Sequence, residues 1–279
     1  MLKPPDDART PQQVTQHYEV ERELAAILRN ASKQDRPTLY AQVYDELFQR
    51  VPTHPQLTRK CSSEDTNEIV EQQMKFLHRF LDDSVTYLEI GAGDCAFAGE
   101  VASRVRKVYA VDVSAEVVKN TTMPTNGELV LSDGCSIPVP PDSVDVAYSN
   151  QLMEHLHPDD ALEQLQNLHR AIAPGGRYVC VTPNRLNGPH DVSQFFDYEA
   201  CGFHLKEYTT AELRRLFKSV GFRRSVPYVR VLGHFFKVPG WMPALTEHTL
   251  DLLPIRIRSA LARRVPFRWL LGIYLVGVK

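Results

Sequence analysis

Three carboxylates near the ends of apolar runs are the residues best placed to do chemistry in this chain. Glu89 lies at the end of the run "VTYLEI", just ahead of a turn in which Gly91, Gly93 and Ala96 fit the dinucleotide pattern G-x-G-x-x-G/A. Asp112 lies at the end of "KVYAVDV", and Asp133, beside Gly134, follows "ELVLS". A dinucleotide would lay its pyrophosphate over the glycine turn. A carboxylate about 6 Å from one phosphate charge would then cost roughly 3 kcal/mol at an effective dielectric of 20. A ligand carrying a cationic amino group and a sulfonium, with no phosphate, turns that repulsion into attraction. Asp112 can accept hydrogen bonds from both hydroxyls of an adenosine ribose. Asp133 can meet the adenine amino group while Gly134 leaves room for the ring. Together the three carboxylates address amine, ribose and adenine.

Proton transfer falls to histidines, whose imidazole titrates near neutral pH and can take a hydroxyl proton. The candidates are His190 in "NGPHDVSQ", His155 in "QLMEHLHP" and His204 in "GFHLKEYT". His190 sits in a segment after the fifth strand whose Phe195, Phe196, Tyr198 and Phe203 either line an aromatic site or pack the loop. His155 starts a helix and reads as structural at least as readily as catalytic. No zinc spacing completes a set from Glu154, His155 and His157, so no metal is expected. Cys95 has no basic neighbour to activate it and reads as a small core residue.

These residues need a scaffold that gathers strand ends. Helical spacing in "YEVERELAAIL" and "TLYAQVYDELFQRV", and a capping box from Ser62 and Asp65, make residues 1–82 a helical extension. From Val85, strand-like runs alternate with helical patterns, the signature of a doubly wound α/β fold with a parallel sheet. Ligands bind at the carboxyl ends of such strands. A Rossmann-like core is therefore expected over 83–232, a helical insertion or lid over 233–267 and a final strand over 268–279. The insertion holds "IRIRSALARRVPFRW", with five arginines, no acid, and Ile257, Leu261 and Val265 on one helical face. Such a segment suggests a peripheral membrane contact or an anionic acceptor, or a lid on its own domain.

A net charge of -2 gives no overall attraction to nucleic acid, so the expected partner is a small molecule. Five cysteines without a C-x-x-C pair fit a reducing, cytoplasmic setting. The polar, proline-rich N-terminus lacks an apolar signal core, and "WLLGIYLVGV" is too short to span a bilayer.

In the order "YLEIGAGDC", "VYAVDVS", "SDGCSIPVPPDSVDVAYSNQLMEHL", "LHRAIAPGGRYVCVTPN" and "FHLKEYTTAELRRLFKSVGF", residues 85 to 225 resemble the class I S-adenosylmethionine-dependent methyltransferases. They look most like the small-molecule branch that includes ubiquinone-biosynthesis O-methyltransferases. The resemblance implies a seven-stranded, mostly parallel sheet with S-adenosylmethionine at the ends of its first strands. By position, Gly91 and Gly93 shape the methionine side, Asp112 with Val113 holds ribose, Asp133 with Gly134 borders adenine, and Asn150 faces the methionine moiety. Cys95 stands where the family usually has a third glycine. The activity expected is methyl transfer to a small-molecule hydroxyl. A noncatalytic S-adenosylmethionine- or nucleotide-binding partner subunit is the alternative, and a dinucleotide-dependent reductase a weaker one.

Overall fold

A computed structural model describes residues 9–58, 63–113 and 122–279. The proposed Ser62 cap, and any helix beginning after Ser114, lie outside the described residues. The N-terminal section is helical, as its spacing predicts: α1 (Pro11–Asn30), α2 (Arg36–Arg50), a single turn α3 (Pro55–Thr58) and α4 (Ser63–Leu77). Thr10 caps α1 with Gln13 in a reciprocal capping box, and Val20, Leu24 and Leu28 form its buried stripe.

Strands β1 (Thr86–Ile90), β2 (Lys107–Asp112), β3 (Gly127–Leu131), β4 (Val144–Asn150) and β5 (Ile172–Thr182) run parallel, with α5 (Ala96–Ala102) after β1 and α6 (Pro158–Ala171) after β4. Every residue of β1 is buried, because helices cover both faces of the sheet. Helix α7 (Thr210–Val220) starts with a Thr209–Glu212 capping box and ends at Gly221. It leads to β6 (Arg224–Val231), β7 (His234–Lys237), α8 (Trp241–Asp251), α9 (Ile255–Ala262), α10 (Phe267–Leu270) and β8 (Ile273–Val278).

The sheet order is β3-β2-β1-β4-β5-β8-β6-β7. Strand β8 inserts antiparallel between β5 and β6. Eight strands replace the expected seven, because β7 folds back on β6 as a hairpin. That hairpin occupies the start of the segment read as wholly helical, where Leu232 and Gly233 take left-handed turn conformations. The arginine-rich stretch is not one helix either. Pro266 separates α9 from α10, and Ile257 and Val265 of the expected apolar stripe are exposed.

One core face joins α1 and α2 to α6 and α7 through residues such as Leu24, Leu47, Leu165 and Phe217. The opposite face packs Phe76 and Leu77 of α4 with Phe97 and Val101 of α5. Buried ion pairing also fastens the N-terminal helices over the strand ends. Arg36 donates to both oxygens of Asp160, at 2.6 and 2.7 Å, and Tyr40 adds a third bond at 2.8 Å.

Candidate active site

The structure sorts the candidate residues into groups at the strand ends. Glu89, Gly91, Gly93 and Asn150 line a single cavity of about 1050 Å³. Its walls come from α2 (Phe48), from α4 (Ile69 and Phe76) and from the last strands (Arg230, Phe235, Tyr274). The turn is built for close approach. Gly91 has φ +72°, and a methyl there would lie 3.2 Å from Leu152. Cys95 caps α5 in the same left-handed region, at φ 59°, where the missing glycine would cost less. Burial pushes the Cys95 thiol up to about 12, so it is no nucleophile at neutral pH.

Glu89 is 6% exposed, and its Oε2 has no hydrogen-bond partner. Burial, with smaller contributions from the Asp94 and Asp112 charges, pushes its pKa up to about 8. This is a carboxylate facing a cavity without a cation. Asp112 accepts from the Gly93 N–H at 2.8 Å, which ties the end of β2 to the glycine turn.

Asp133 and Gly134, after β3, form the neighbouring group together with Val113, which follows β2. Asp133 Oδ1 accepts from the N–H groups of Cys135 and Ser136 at 2.9 and 2.6 Å. Burial alone would raise the Asp133 pKa, but these donors outweigh it and hold the group below the usual range. A methyl on Gly134 would lie 3.6 Å from the Tyr40 ring and 3.7 Å from Val113. The slot beside Gly134 is thus bounded by an aromatic ring from α2, which the sequence did not announce. Tyr40 is held there by Asp160 and by the His157 N–H at 2.9 Å.

The three histidines belong to one network centred on a residue that sequence reasoning missed, Glu207. Its carboxylate accepts from the His190 backbone N–H at 2.7 Å and stands 3.3 Å from His190 Nδ1 and 2.7 Å from His204 Nδ1. Burial favours the neutral acid, yet the two histidines outweigh it and bring Glu207 down to about 2. His204 responds in kind: burial disfavours its charge, but Glu207 and Glu154 raise its pKa overall. His155 meets the His204 ring edge-on at 4.8 Å, and its Nδ1 lies 3.0 Å from Tyr44 Oη and 3.1 Å from Phe203 O. Burial pushes His155 down to about 3, so it is neutral. Only the i,i+3 spacing of His204 and Glu207 could have flagged this pairing.

Glu154 accepts from Thr182 Oγ1 at 2.7 Å, and its ligand atom comes within 4.8 Å of those of His155 and His204. His17 and Glu21 of α1, with His54 between α2 and α3, form a second such group. Neither is visible as a spacing, since each combines residues from separate elements. None of the three candidate histidines lines the cavity that holds Glu89. Of the loop aromatics, Phe195 and Phe196 pack on Val14 and Tyr18 of α1, and Phe203 lies 4.7 Å from the Tyr44 ring. The loop-packing reading describes them better than an open aromatic pocket.

Comparison with known proteins relates the region that carries these strand ends to methyltransferases. Residues 88–180 match the family model described as "Methyltransferase domain". A Mycolicibacterium smegmatis protein named "probable S-adenosylmethionine-dependent methyltransferase" is 29% identical over 157 residues, 56% of this chain and 57% of that protein. Residues 88–180 thus form a methyltransferase domain of the class I S-adenosylmethionine-dependent kind. It matches little more than half the length of this curated relative.

Solved structures agree on the methyltransferase fold. An S-adenosylmethionine-dependent methyltransferase from Archaeoglobus fulgidus superimposes with a TM-score of 0.51 at 17% identity, covering 76% of this chain and 94% of that one. Phosphoethanolamine N-methyltransferase 1 from Haemonchus contortus, solved with phosphoethanolamine and S-adenosylhomocysteine, gives 0.54 at 14% identity, over 89% of this chain and 50% of that one. The matches fix the class and not a branch within it. S-adenosylmethionine is the cofactor of this class, and the orphaned Glu89 carboxylate is a fitting partner for its cationic end.

Proposed function

We propose that this methyltransferase transfers the S-methyl group of S-adenosylmethionine to a hydroxyl oxygen of a small-molecule acceptor. The observation that carries the reading is Glu89, a buried carboxylate with an unpartnered oxygen at the wall of a large cavity, beside the glycine turn. An ammonium group supplies what that oxygen lacks and draws the acid into its charged form, whereas a pyrophosphate would disfavour that charge. In this reading Asp112 and Val113 hold the ribose end, Asp133 and Gly134 border adenine, and Gly91, Gly93 and Asn150 shape the methionine side. When bound, S-adenosylmethionine supplies an electrophilic methyl on a sulfonium. The chain's part is then to hold the acceptor in line and in near-contact, which lowers the barrier by removing orientational freedom.

His190 is the candidate base for the acceptor proton. Its side chain is 33% exposed, while His204 is 8% exposed and His155 is too depressed to hold a proton at neutral pH. Glu207, accepting from Nδ1–H, would fix the tautomer and leave Nε2 as the proton acceptor. His204 and His155 act behind it as positioning residues.

Calorimetric titration with S-adenosylhomocysteine and with NADH tests the cofactor assignment. Binding of the first and not the second supports it, and the reverse removes it. Transfer of a labelled methyl group to a panel of hydroxylated acceptors tests the chemistry. Tight binding without transfer to any acceptor would favour the noncatalytic binding subunit.

A further inference from the structure

We propose that α8 and α9 form an interfacial platform that docks this methyltransferase on an anionic bilayer surface. The platform is firmly built on its inner side. Glu247, 3% exposed, accepts from Asn184 Nδ2 at 2.9 Å and from the Thr210 and Ala211 N–H groups at 2.6 and 3.0 Å. A carboxylate from α8 therefore seats on the N-terminus of α7, where backbone donors and the helix dipole favour negative charge. Pro243 and Leu250 of α8 face inward with it, and Leu250 joins Ala262, Leu271 and Leu186 in a small separate core.

The outer side of α8 is the reverse of what a solvated helix shows. Trp241, Leu245 and Leu252 lie at i, i+4 and i+11, one face of a helix and its C-cap, and are 65%, 55% and 72% exposed. Ile257 of α9 and Val265 add 51% and 54%. Large apolar side chains concentrated on one exposed stripe mark a contact surface rather than ordinary scatter.

Charge says what the surface meets. Residues 241–272 contain five arginines and two acids. Glu247 is buried in its α7 contact, and Asp251 is spent on Arg185 and Arg258, at 2.8 and 2.9 Å. Arg256, Arg263, Arg264 and Arg268 are exposed and form no ion pair among the described residues. Four exposed guanidinium groups on the segment that follows the exposed Trp and Leu, on a chain of net charge -2, complement anionic headgroups over a shallow apolar layer. No helix among the described residues is long and apolar enough to cross a membrane, so contact is at the surface.

Co-sedimentation of the full chain with vesicles tests the platform, using phosphatidylcholine alone and phosphatidylcholine mixed with phosphatidylglycerol. Binding to the mixed vesicles only, with blue-shifted tryptophan emission that is lost in Trp241→Ser, is the expected result. Replacing Arg256, Arg263, Arg264 and Arg268 by glutamine should weaken partitioning by about 600-fold, at about fivefold per charge. Replacing Trp241, Leu245 and Leu252 by serine should abolish it with the arginines intact. All these positions are exposed, and retained S-adenosylhomocysteine binding and thermal melting will show that the variants fold. Wild-type protein that stays in the supernatant at low salt overturns the inference, as does undiminished binding by either set of variants.

Discussion

The Glu89 cleft and the Glu207 network both bury acids, one on a strand and one in the loop ahead of α7, and they treat them in opposite ways. Glu207 is given two histidines, so its charge is retained and its pKa falls to about 2. Glu89 is given none, keeps an unpartnered oxygen and rises to about 8. The same chemical group is thus a fixed anion in one place and, in the other, a neutral acid that becomes one when a cation arrives. A buried acid paired within the chain spends its interaction energy on holding its neighbours in place. A buried acid left unpaired holds that energy for a cation that arrives from outside.

The largest effect should come from breaking the paired side. Glu207→Gln leaves His204 buried without its counter-charge, and removing one partner of a buried pair costs about 3–5 kcal/mol. Denaturant melts should show this loss above the ordinary carboxylate range. Because the Glu207 pKa is depressed, its contribution is present above that range and is lost as pH falls through about 2. A loss under about 1 kcal/mol would mean that the network is a solvated ornament.

Next in size is Asp112, whose carboxylate joins β2 to the glycine turn. Asp112→Ala should lower S-adenosylhomocysteine affinity at least tenfold, since each hydrogen bond to a charged group is worth about 1.5–3 kcal/mol. Calorimetry on a variant with unchanged melting gives the answer. Unaltered affinity would reduce Asp112 to a brace for the Gly93 N–H. His190→Ala should slow turnover by about 100-fold with cofactor affinity intact, and a change below tenfold across the pH range would leave proximity as the main catalytic device.

The cleft was legible in the sequence and the network was not, for a physical reason. Glu89, Gly91 and Gly93 are neighbours on one strand and turn, so a local pattern specifies their meeting. Asp112 and Asp133 end successive parallel strands, and the alternation of β and α periods predicts that such ends gather. Glu207 reaches His190 across a loop whose path depends on packing against α1, through contacts such as Tyr18 on Phe196 at 4.2 Å. Tyr40 comes to Gly134 only because Arg36 and Asp160 pair across 124 residues. Strand β7 escaped notice because "HFFK" is short and follows a turn whose left-handed Leu232 gives no warning by type. The arginine run announced its charge but not its break at Pro266, since a proline one turn past a helix end reads much like one inside it.

The finest test of the contrast is proton counting at Glu89. Its raised pKa means that the free protein holds a proton there while the unfolded chain has already lost it. Folding stability contributed at this site therefore falls as pH rises from the ordinary carboxylate range to about 8. An arriving ammonium group favours the carboxylate, so binding should expel that proton. Calorimetry of S-adenosylhomocysteine in buffers of different ionisation enthalpy should find up to about one proton released near pH 6, vanishing above about 8. Affinity should climb with pH over the same window and then level off. Glu89→Gln should abolish both the release and the slope, because an amide has no proton to give up. If the variant expels as many protons as the wild type, another group is titrating and Glu89 is an ordinary buried acid.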